Sequence, residues 1–161
     1  SEGRMRWDAE EQCGVYAGEL STANGGGFSS VVGPTQRIDL PGSKGLWIRY
    51  KADAQTYKLQ VRRGGDGDLS LLSMFTSGAG NDGVVYQTDL PGPHDQWTEV
   101  FIPWSNFKAS WRGQPRAAAP LTGSGIKSVG LMVSKLSAAG GKNPSFRAGP
   151  FTLRVKTIGS Y

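Results

Sequence analysis

The stretch Gly45-Leu-Trp-Ile-Arg-Tyr-Lys51 decides the fold class, because its apolar and polar side chains alternate residue by residue. A second run, Thr56-Tyr-Lys-Leu-Gln-Val-Arg-Arg63, repeats this pattern. Successive side chains of a β-strand point to opposite faces, so a period of two predicts strands that bury one face. The four residues between the runs suit a hairpin loop, and we expect the two strands to pair and share one basic outer face. The basic residues of that face are Arg49, Lys51, Lys58 and Arg62.

The rest of the chain continues this pattern. Further strands are predicted at about 14–21, 27–33, 69–76, 83–89, 96–103, 126–135 and 149–158, and the last of them adds Arg154 and Lys156 to the basic outward positions. The 161 residues include 24 Gly and 9 Pro, a share well above the roughly 12% of an average protein, which argues against a helical bundle. The fold expected is all-β: a single antiparallel β-sandwich or jelly roll over residues 13–161, preceded by an N-terminal extension at 1–12.

The formal net charge of +5 hides an uneven distribution along the chain. Residues 1–99 hold nine Lys and Arg and all 13 Asp and Glu, a net −4, whereas residues 100–161 hold the other nine bases and no acid, a net +9. A segment this cationic predicts contact with an anionic surface. No apolar run approaches the roughly 20 residues of a membrane-spanning helix, so we expect a soluble or peripherally membrane-associated protein.

Few residues offer catalytic or metal-binding chemistry. Cys13 and His94 are each the single residue of their type, which excludes an intrachain disulfide and a Cys/His zinc site, and His94 is expected in an exposed turn. Gly78–Gly83 matches G-x-G-x-x-G, but a strand-like run follows where a dinucleotide site requires a helix. Asp66-Gly-Asp68 and Asn81-Asp82 carry oxygen ligands that suit calcium without matching a dedicated loop, and ordinary turns are expected there. The sequence predicts no cofactor and no enzyme activity.

Aromatic and basic side chains mix around a long loop predicted at 106–125. Trp97 and Phe107 are expected in the core, whereas Trp104 and Trp111 are expected to be partly exposed. Tryptophan and arginine are the residues that protein interfaces concentrate at their hot spots, so a partner-binding site is predicted here. Its candidate residues are Trp104, Lys108, Trp111, Arg112 and Arg116.

The same residue types leave two alternatives to a protein partner. A carbohydrate could stack on Trp47, Trp104 or Trp111. RNA could bind the basic strand faces, but the clustered aromatics of an RNA-recognition surface are missing from the sequence, so nucleic acid is disfavoured.

A series of short motifs runs through most of the chain. They are Tyr16-Ala-Gly18, Asn24-Gly-Gly-Gly-Phe-Ser-Ser30, Thr56-Tyr-Lys-Leu59, Tyr86-Gln-Thr88, the more specific Trp97-Thr-Glu-Val-Phe-Ile-Pro-Trp-Ser-Asn-Phe107, Arg112-Gly113, Ile126-Lys-Ser-Val-Gly-Leu-Met132 and Gly149-Pro-Phe-Thr-Leu153. By the presence of these motifs in this order, the chain resembles the complex I intermediate-associated protein family. Where that family has a Gly-Asp-Gly turn, this chain has Ala52-Asp53-Ala54.

The resemblance implies a galactose-binding-like jelly roll and a non-enzymatic assembly factor or chaperone-like module. Its partners would be protein subunits of a large membrane electron-transfer complex, respiratory or photosynthetic, in the mitochondrial matrix or the chloroplast. A permanent structural or linker subunit of such an assembly, and a carbohydrate-binding module, remain alternatives.

Overall fold

The computed structural model describes residues 1–64 and 84–161 of the chain. Regular structure in these ranges consists of strands and of two single-turn 3-10 helices at Ala23–Gly25 and Trp104–Asn106. The strands are β1 (Glu2–Asp8), β2 (Cys13–Leu20), β3 (Phe28–Val32), β4 (Gly45–Ala52), β5 (Tyr57–Arg63), β6 (Val84–Asp89), β7 (Thr98–Pro103), β8 (Lys108–Trp111), β9 (Gln114–Pro115), β10 (Ile126–Ser134) and β11 (Gly149–Ser160). The strand predicted at 69–76 lies outside the described residues.

The strands form two sheets that pack face to face. One sheet has the order β1-β2-β11-β4-β7 and the other has the order β3-β10-β5-β6-β8-β9. Every described pair is antiparallel. The prediction of an all-β antiparallel sandwich is confirmed.

The core lies between the sheets and follows the alternation of the sequence. Leu46, Ile48 and Tyr50 of β4 are at most 3% exposed, and the inward positions of β5 are equally buried. Burying a side chain of this size contributes about 1.5–3 kcal/mol, so these alternating positions hold the sheets together. The hydroxyl of Tyr16 on β2 donates to Ser29 Oγ on β3 at 2.8 Å and links the two sheets. Burial raises the pKa of Tyr16 to about 12.

The expected pairing of β4 with β5 is wrong, because the two strands belong to different sheets. β4 pairs with β11 and β7, whereas β5 pairs with β10 and β6. The connection between them crosses from one sheet to the other and is held by Asp53, whose carboxylate accepts from Gln55 N at 3.0 Å, Tyr57 Oη at 2.9 Å and Thr152 N at 2.8 Å. A strand with one buried face alternates in the same way whichever partner it has, so the sequence pattern did not distinguish a hairpin from a crossover.

Three strands have no counterpart in the sequence prediction. Residues 1–12, which the sequence pattern separates from the sandwich as an extension, contain β1, and β1 pairs with β2 along its whole length. All but two residues of β1 are exposed, so it lacks the apolar alternation that marks a strand. The predicted loop 106–125 is also partly strand, because β8 and β9 add to the edge of the six-stranded sheet. Among the described residues no helix is long and apolar enough to cross a membrane.

Candidate functional site: a cationic hairpin and groove

The β8–β9 hairpin presents the aromatic and basic residues singled out in the sequence. Trp111 pairs with Gln114, which leaves Arg112 and Gly113 as a two-residue loop. The φ angles of these residues are +51° and +80°, the left-handed pair that defines a type I′ turn. Asn or Gly is preferred at the first of these positions, so an arginine there carries a steric cost of roughly 1–2 kcal/mol.

The indole of Trp111 lies beside two guanidinium groups. Cζ of Arg112 is 4.5 Å from the ring centroid and Cζ of Arg116 is 5.3 Å from it. Trp111 is 38% exposed, in agreement with the predicted partial exposure, and both arginines are exposed. The fold thus assembles three of the five predicted contact residues into one surface cluster, held by cation–π contacts.

The other two predicted contact residues lie apart from this cluster. Lys108 is exposed at the opposite end of β8, where it pairs with Gln87. Trp104 was expected to be partly exposed, but it is only 8% exposed, and its Nε1 donates to the carbonyl of Ser43 at 3.1 Å. Trp104 is therefore a core residue, since the 3-10 turn after β7 directs it inward onto Phe107.

The core expectation holds for Phe107 and fails for Trp97. Phe107 is 6% exposed and belongs to the core cluster. Trp97 is only partly buried, and Lys156 Nζ lies 4.8 Å from the centroid of its ring. Trp97 directly precedes β7 at an outward position, so the alternation that buries Ile102 leaves Trp97 on the outer face.

Residues 135–143, named the strap here, fold back from β10 over the outer face of the six-stranded sheet. The strap is a small hairpin, in which Asn143 N donates to Lys135 O at 2.9 Å and Ser137 N donates to Gly141 O at 2.8 Å. Its tip is fastened to β6, because Ala138 N donates to both carboxylate oxygens of Asp89 at 3.1 Å. These hydrogen bonds tie the strap to the sheet.

The outward side chains of β5 are buried on this side of the sheet. Lys58, predicted on an exposed basic face, is 2% exposed, and its Nζ donates to Ser134 Oγ at 2.7 Å. Burial lowers the pKa of Lys58 to about 8, against a smaller opposing effect of Asp89. Gln60 is 4% exposed and donates to Gln87 Oε1 at 3.0 Å. Arg62 is partly buried, burial lowers its pKa, and its Nη1 has no hydrogen-bond partner within the described part of the chain.

The predicted single basic face is therefore divided between two sheets. Arg49 and Lys51 lie on the outer face of the five-stranded sheet, where β11 places Arg154 next to Lys51. Arg154 forms an ion pair with Asp8 at 3.2 Å. Lys58 and Arg62 lie on the other sheet, because β5 joins it. The expectation of one continuous basic face over these strands is wrong.

A groove opens between the hairpin tip, the strap and the start of β3. It has a volume of about 340 Å³ and is lined by Gly27, Phe28, Arg112, Gly113, Met132, Ser134, Lys135 and Leu136. Gly113 has a left-handed φ of +80°, which favours glycine, and a Cβ there would lie 2.8 Å from Leu136 Cδ1. This groove was not predicted from the sequence. The motif match at Phe28 and the acid-free segment after Glu99 were its only signals.

The remaining candidate sites have separate outcomes. His94 is exposed in the connection before β7, as expected. The acidic turns at 66–68 and 81–82 and the glycine-rich stretch 78–83 lie outside the described residues. Across 1–64 and 84–161, no cluster of three or more His, Cys, Asp or Glu is placed to hold a metal ion.

Two antiparallel sheets around one core, with the connections gathered at their ends, define a β-sandwich of the galactose-binding-like class. Solved structures share this fold. The family 11 carbohydrate-binding module of the cellulosomal cellulase Lic26A-Cel5E of Clostridium thermocellum aligns with a TM-score of 0.60 at 15% identity, covering 96% of this chain and 79% of that one. A family 11 module from the same organism, in complex with a β-1,3-1,4-mixed-linked tetrasaccharide, aligns with a TM-score of 0.60 at 14% identity, covering 96% and 81%. The agarase AgWH50C aligns with a TM-score of 0.59 at 11% identity, covering 100% of this chain and 22% of the agarase.

The sequence resemblance is confirmed at the level of the family. The chain belongs to the family of Complex I intermediate-associated protein 30 (CIA30), whose model matches residues 1–155. The match includes β1 and extends into β11. A comparison with curated proteins finds no match.

Proposed function

We propose that this protein is a non-enzymatic protein-binding module that acts as an assembly factor, chaperone-like or scaffolding, for a large membrane electron-transfer complex. The observation that carries this proposal is the convergence of Trp111, Arg112 and Arg116 on an exposed hairpin within the +9 segment. Tryptophan flanked by arginine is the composition of an interface hot spot. The family name refers to an intermediate of complex I, which supports an electron-transfer complex as the client and the mitochondrial matrix or the chloroplast as the location.

Affinity capture from detergent-solubilised mitochondrial and chloroplast membranes tests the proposal. The wild-type protein is expected to co-purify with a respiratory or photosynthetic complex, whereas the double charge reversal Arg112→Glu/Arg116→Glu is expected to lose it. The reversal Arg49→Glu/Lys51→Glu, on the outer face of the other sheet, is the matched control and should retain the complex. Capture that survives the hairpin reversal would exclude the hairpin as the docking site. A wild-type protein that captures no large complex would contradict the proposed function itself.

A permanent structural or linker subunit is distinguished from a transient factor by stoichiometry. We expect the protein in assembly intermediates and at far less than one copy per mature complex, as a factor that departs after assembly. Quantitative mass spectrometry of native-gel bands measures this ratio. One copy per mature complex would establish the permanent subunit instead.

The carbohydrate alternative is supported by the likeness to the family 11 modules, which at this level of identity concerns the fold. The tryptophans proposed for stacking are dispersed, since Trp47 lies on the five-stranded sheet, Trp111 on the six-stranded sheet and Trp104 in the core. Calorimetric titration with a β-1,3-1,4-mixed-linked tetrasaccharide decides between the functions. Absence of heat at millimolar sugar removes the alternative, and saturable binding would replace the assembly proposal with it.

A further inference from the structure

We infer that the groove between the β8–β9 hairpin, the strap and β3 binds an acidic peptide segment of the partner, anchored by a bulky apolar side chain. The inference deepens the proposed function and rests on it. It adds a site and a ligand chemistry to the surface cluster at Trp111. Arg112 belongs to both, and the groove extends from the hairpin turn towards Leu136 and Phe28.

The floor of the groove is apolar and accessible. Phe28 is 51% exposed although it stands at the start of a strand, and it lies near the partly buried Met132 and Leu136. An exposed aromatic ring beside aliphatic side chains in a concave site is the usual composition of a ligand pocket. A volume of about 340 Å³ is at the small end of such pockets and suits a side chain better than a whole domain.

The rim of the groove is cationic. Arg112 and Lys135 line it, and a second cleft of about 440 Å³ shares Lys135 and Leu136 with it and adds Lys142 and Arg147. Among the lining residues that the structure describes, neither cleft contains an Asp or Glu. The basic residues of these two neighbouring clefts favour an anionic ligand, while the floor of the groove favours an apolar one.

The groove is preformed, which lowers the entropic cost of binding. The strap is hydrogen-bonded across its own base and fastened at its tip to Asp89. Arg112 is held in a left-handed conformation that asparagine or glycine would adopt more readily. Strain of this kind is retained where a side chain has a task. Arg112 lines the groove, and its guanidinium lies over the Trp111 ring beside it.

A peptide fits these features better than a lipid surface or a nucleic acid. Membrane binding favours protruding apolar side chains, whereas Met132 and Leu136 are partly buried in a recess. Single-stranded nucleic acid favours several planar side chains on which successive bases stack. Among the described residues, the groove and the second cleft are lined by one aromatic residue each, Phe28 and Phe146.

The test uses the full chain and a fluorescein-labelled peptide that alternates Glu and Leu. Matched peptides alternate Glu with Ser, or Lys with Leu, and fluorescence anisotropy measures Kd. We expect the Glu/Leu peptide to bind at least about tenfold more tightly than either matched peptide. With ¹³C-methyl methionine, its addition should shift the signal of Met132 and leave that of Met5, on β1, unchanged.

Two variants and two controls locate the site. Phe28→Ser removes the aromatic ring from the floor of the groove, and Arg112→Asn removes the charge while keeping a residue that accepts a left-handed φ. Each should raise Kd at least about tenfold. The controls are Phe101→Ser, which removes an equally exposed ring from the other sheet, and Arg49→Gln. Both should leave Kd unchanged.

Several results would overturn the inference. They are equal binding of the Glu/Ser peptide, an unmoved Met132 signal, or effects of the control variants as large as those of the groove variants. A different class of ligand would be indicated if the peptide does not bind but phosphatidylglycerol vesicles or polyuridine do, and if Phe28→Ser and Arg112→Asn weaken that binding. The occupant of the groove would then be a membrane surface or a nucleic acid. A further outcome is that the peptide fails to bind while the protein still captures the complex in an Arg112-dependent way. That result would contradict this inference but not the proposed function.

Discussion

Replacing Lys58 with methionine should make the protein less sensitive to pH between 7 and 10. Lys58 is 2% exposed and donates to Ser134 Oγ, so its ammonium group is almost completely shielded from solvent. Burial lowers its pKa from the ordinary 10.5 to about 8. Between these two values the unfolded chain still holds the proton that the folded protein has released. The free energy of unfolding therefore rises with pH across this window.

The magnitude follows from the width of the window. Each pH unit of difference between the folded and unfolded pKa corresponds to about 1.4 kcal/mol, so the penalty for the buried charge is at most about 3 kcal/mol at pH 7. Less than about 1 kcal/mol of it remains at pH 10. Lys58→Met removes the penalty and also one hydrogen bond worth about 1 kcal/mol. We expect the variant to be about 1–2 kcal/mol more stable than the wild type at pH 7 and no more stable at pH 10.

Urea unfolding of both proteins, followed by tryptophan fluorescence at pH 7, 8, 9 and 10, measures this difference. Burial raises the pKa of Tyr16 and Tyr50 to about 12, so both proteins lose stability together above about pH 10, and the comparison stops there. Lys127→Met, at an exposed lysine of β10, is the matched control and should run parallel to the wild type. If the free energy of unfolding of Lys58→Met also changes with pH in parallel with that of the wild type, the burial of a charged Lys58 is refuted.

Three further variants test the architecture. Asp53→Ala removes three hydrogen bonds at the crossover between the sheets, one of them from the buried Tyr57. It should lower the free energy of unfolding by roughly 3 kcal/mol in urea titrations. The control Asp95→Ala, in an exposed bend, should lower it far less. Leu59→Ala empties a position that is 0% exposed and should cost about 2–5 kcal/mol by the same measurement, and a loss below about 1 kcal/mol would contradict the placement of β5 in the core. Gly113→Ala meets a left-handed φ and a contact of 2.8 Å with Leu136, so thermal unfolding should show a loss of roughly 1–2 kcal/mol, whereas Gly42→Ala, also at a left-handed φ but with nothing within 4 Å of its Cβ, should lose less.

Much of the fold could be predicted because a strand that buries one face shows alternating apolar and polar residues at neighbouring positions. The alternation in 45–51 and 56–63 identifies β4 and β5 and their core positions, and the glycine and proline content indicates short strands with many turns. The same pattern fails for β1, whose residues are mostly exposed on both faces, and for the short edge strands β8 and β9. Strands that bury little leave no periodic signal, so sequence predicted the interior better than the edges.

The candidate site was predicted in part. Trp111, Arg112 and Arg116 are neighbours in sequence and lie on one hairpin, so composition alone located them. Trp104 has the same composition around it, but its 3-10 turn directs it into the core. Phe28 and Lys135 meet Arg112 from distant parts of the chain, and a local pattern carries no information about such contacts.

By itself the sequence determined the class of fold, the core positions of the central strands and the family. It also determined that negative charge is confined to residues 1–99 and that residues 100–161 are cationic. Each of these properties depends on neighbouring residues or on composition. The tertiary structure decided which strands pair, and so placed Lys51 and Lys58 on different sheets although only six residues separate them. It also decided what covers each outer face. Ala138 bonds to Asp89 across 49 positions of sequence, and this contact holds in place the strap that borders the groove. Such contacts form because both partners are brought together by the packed sheets, which is why the groove becomes visible only in the folded chain.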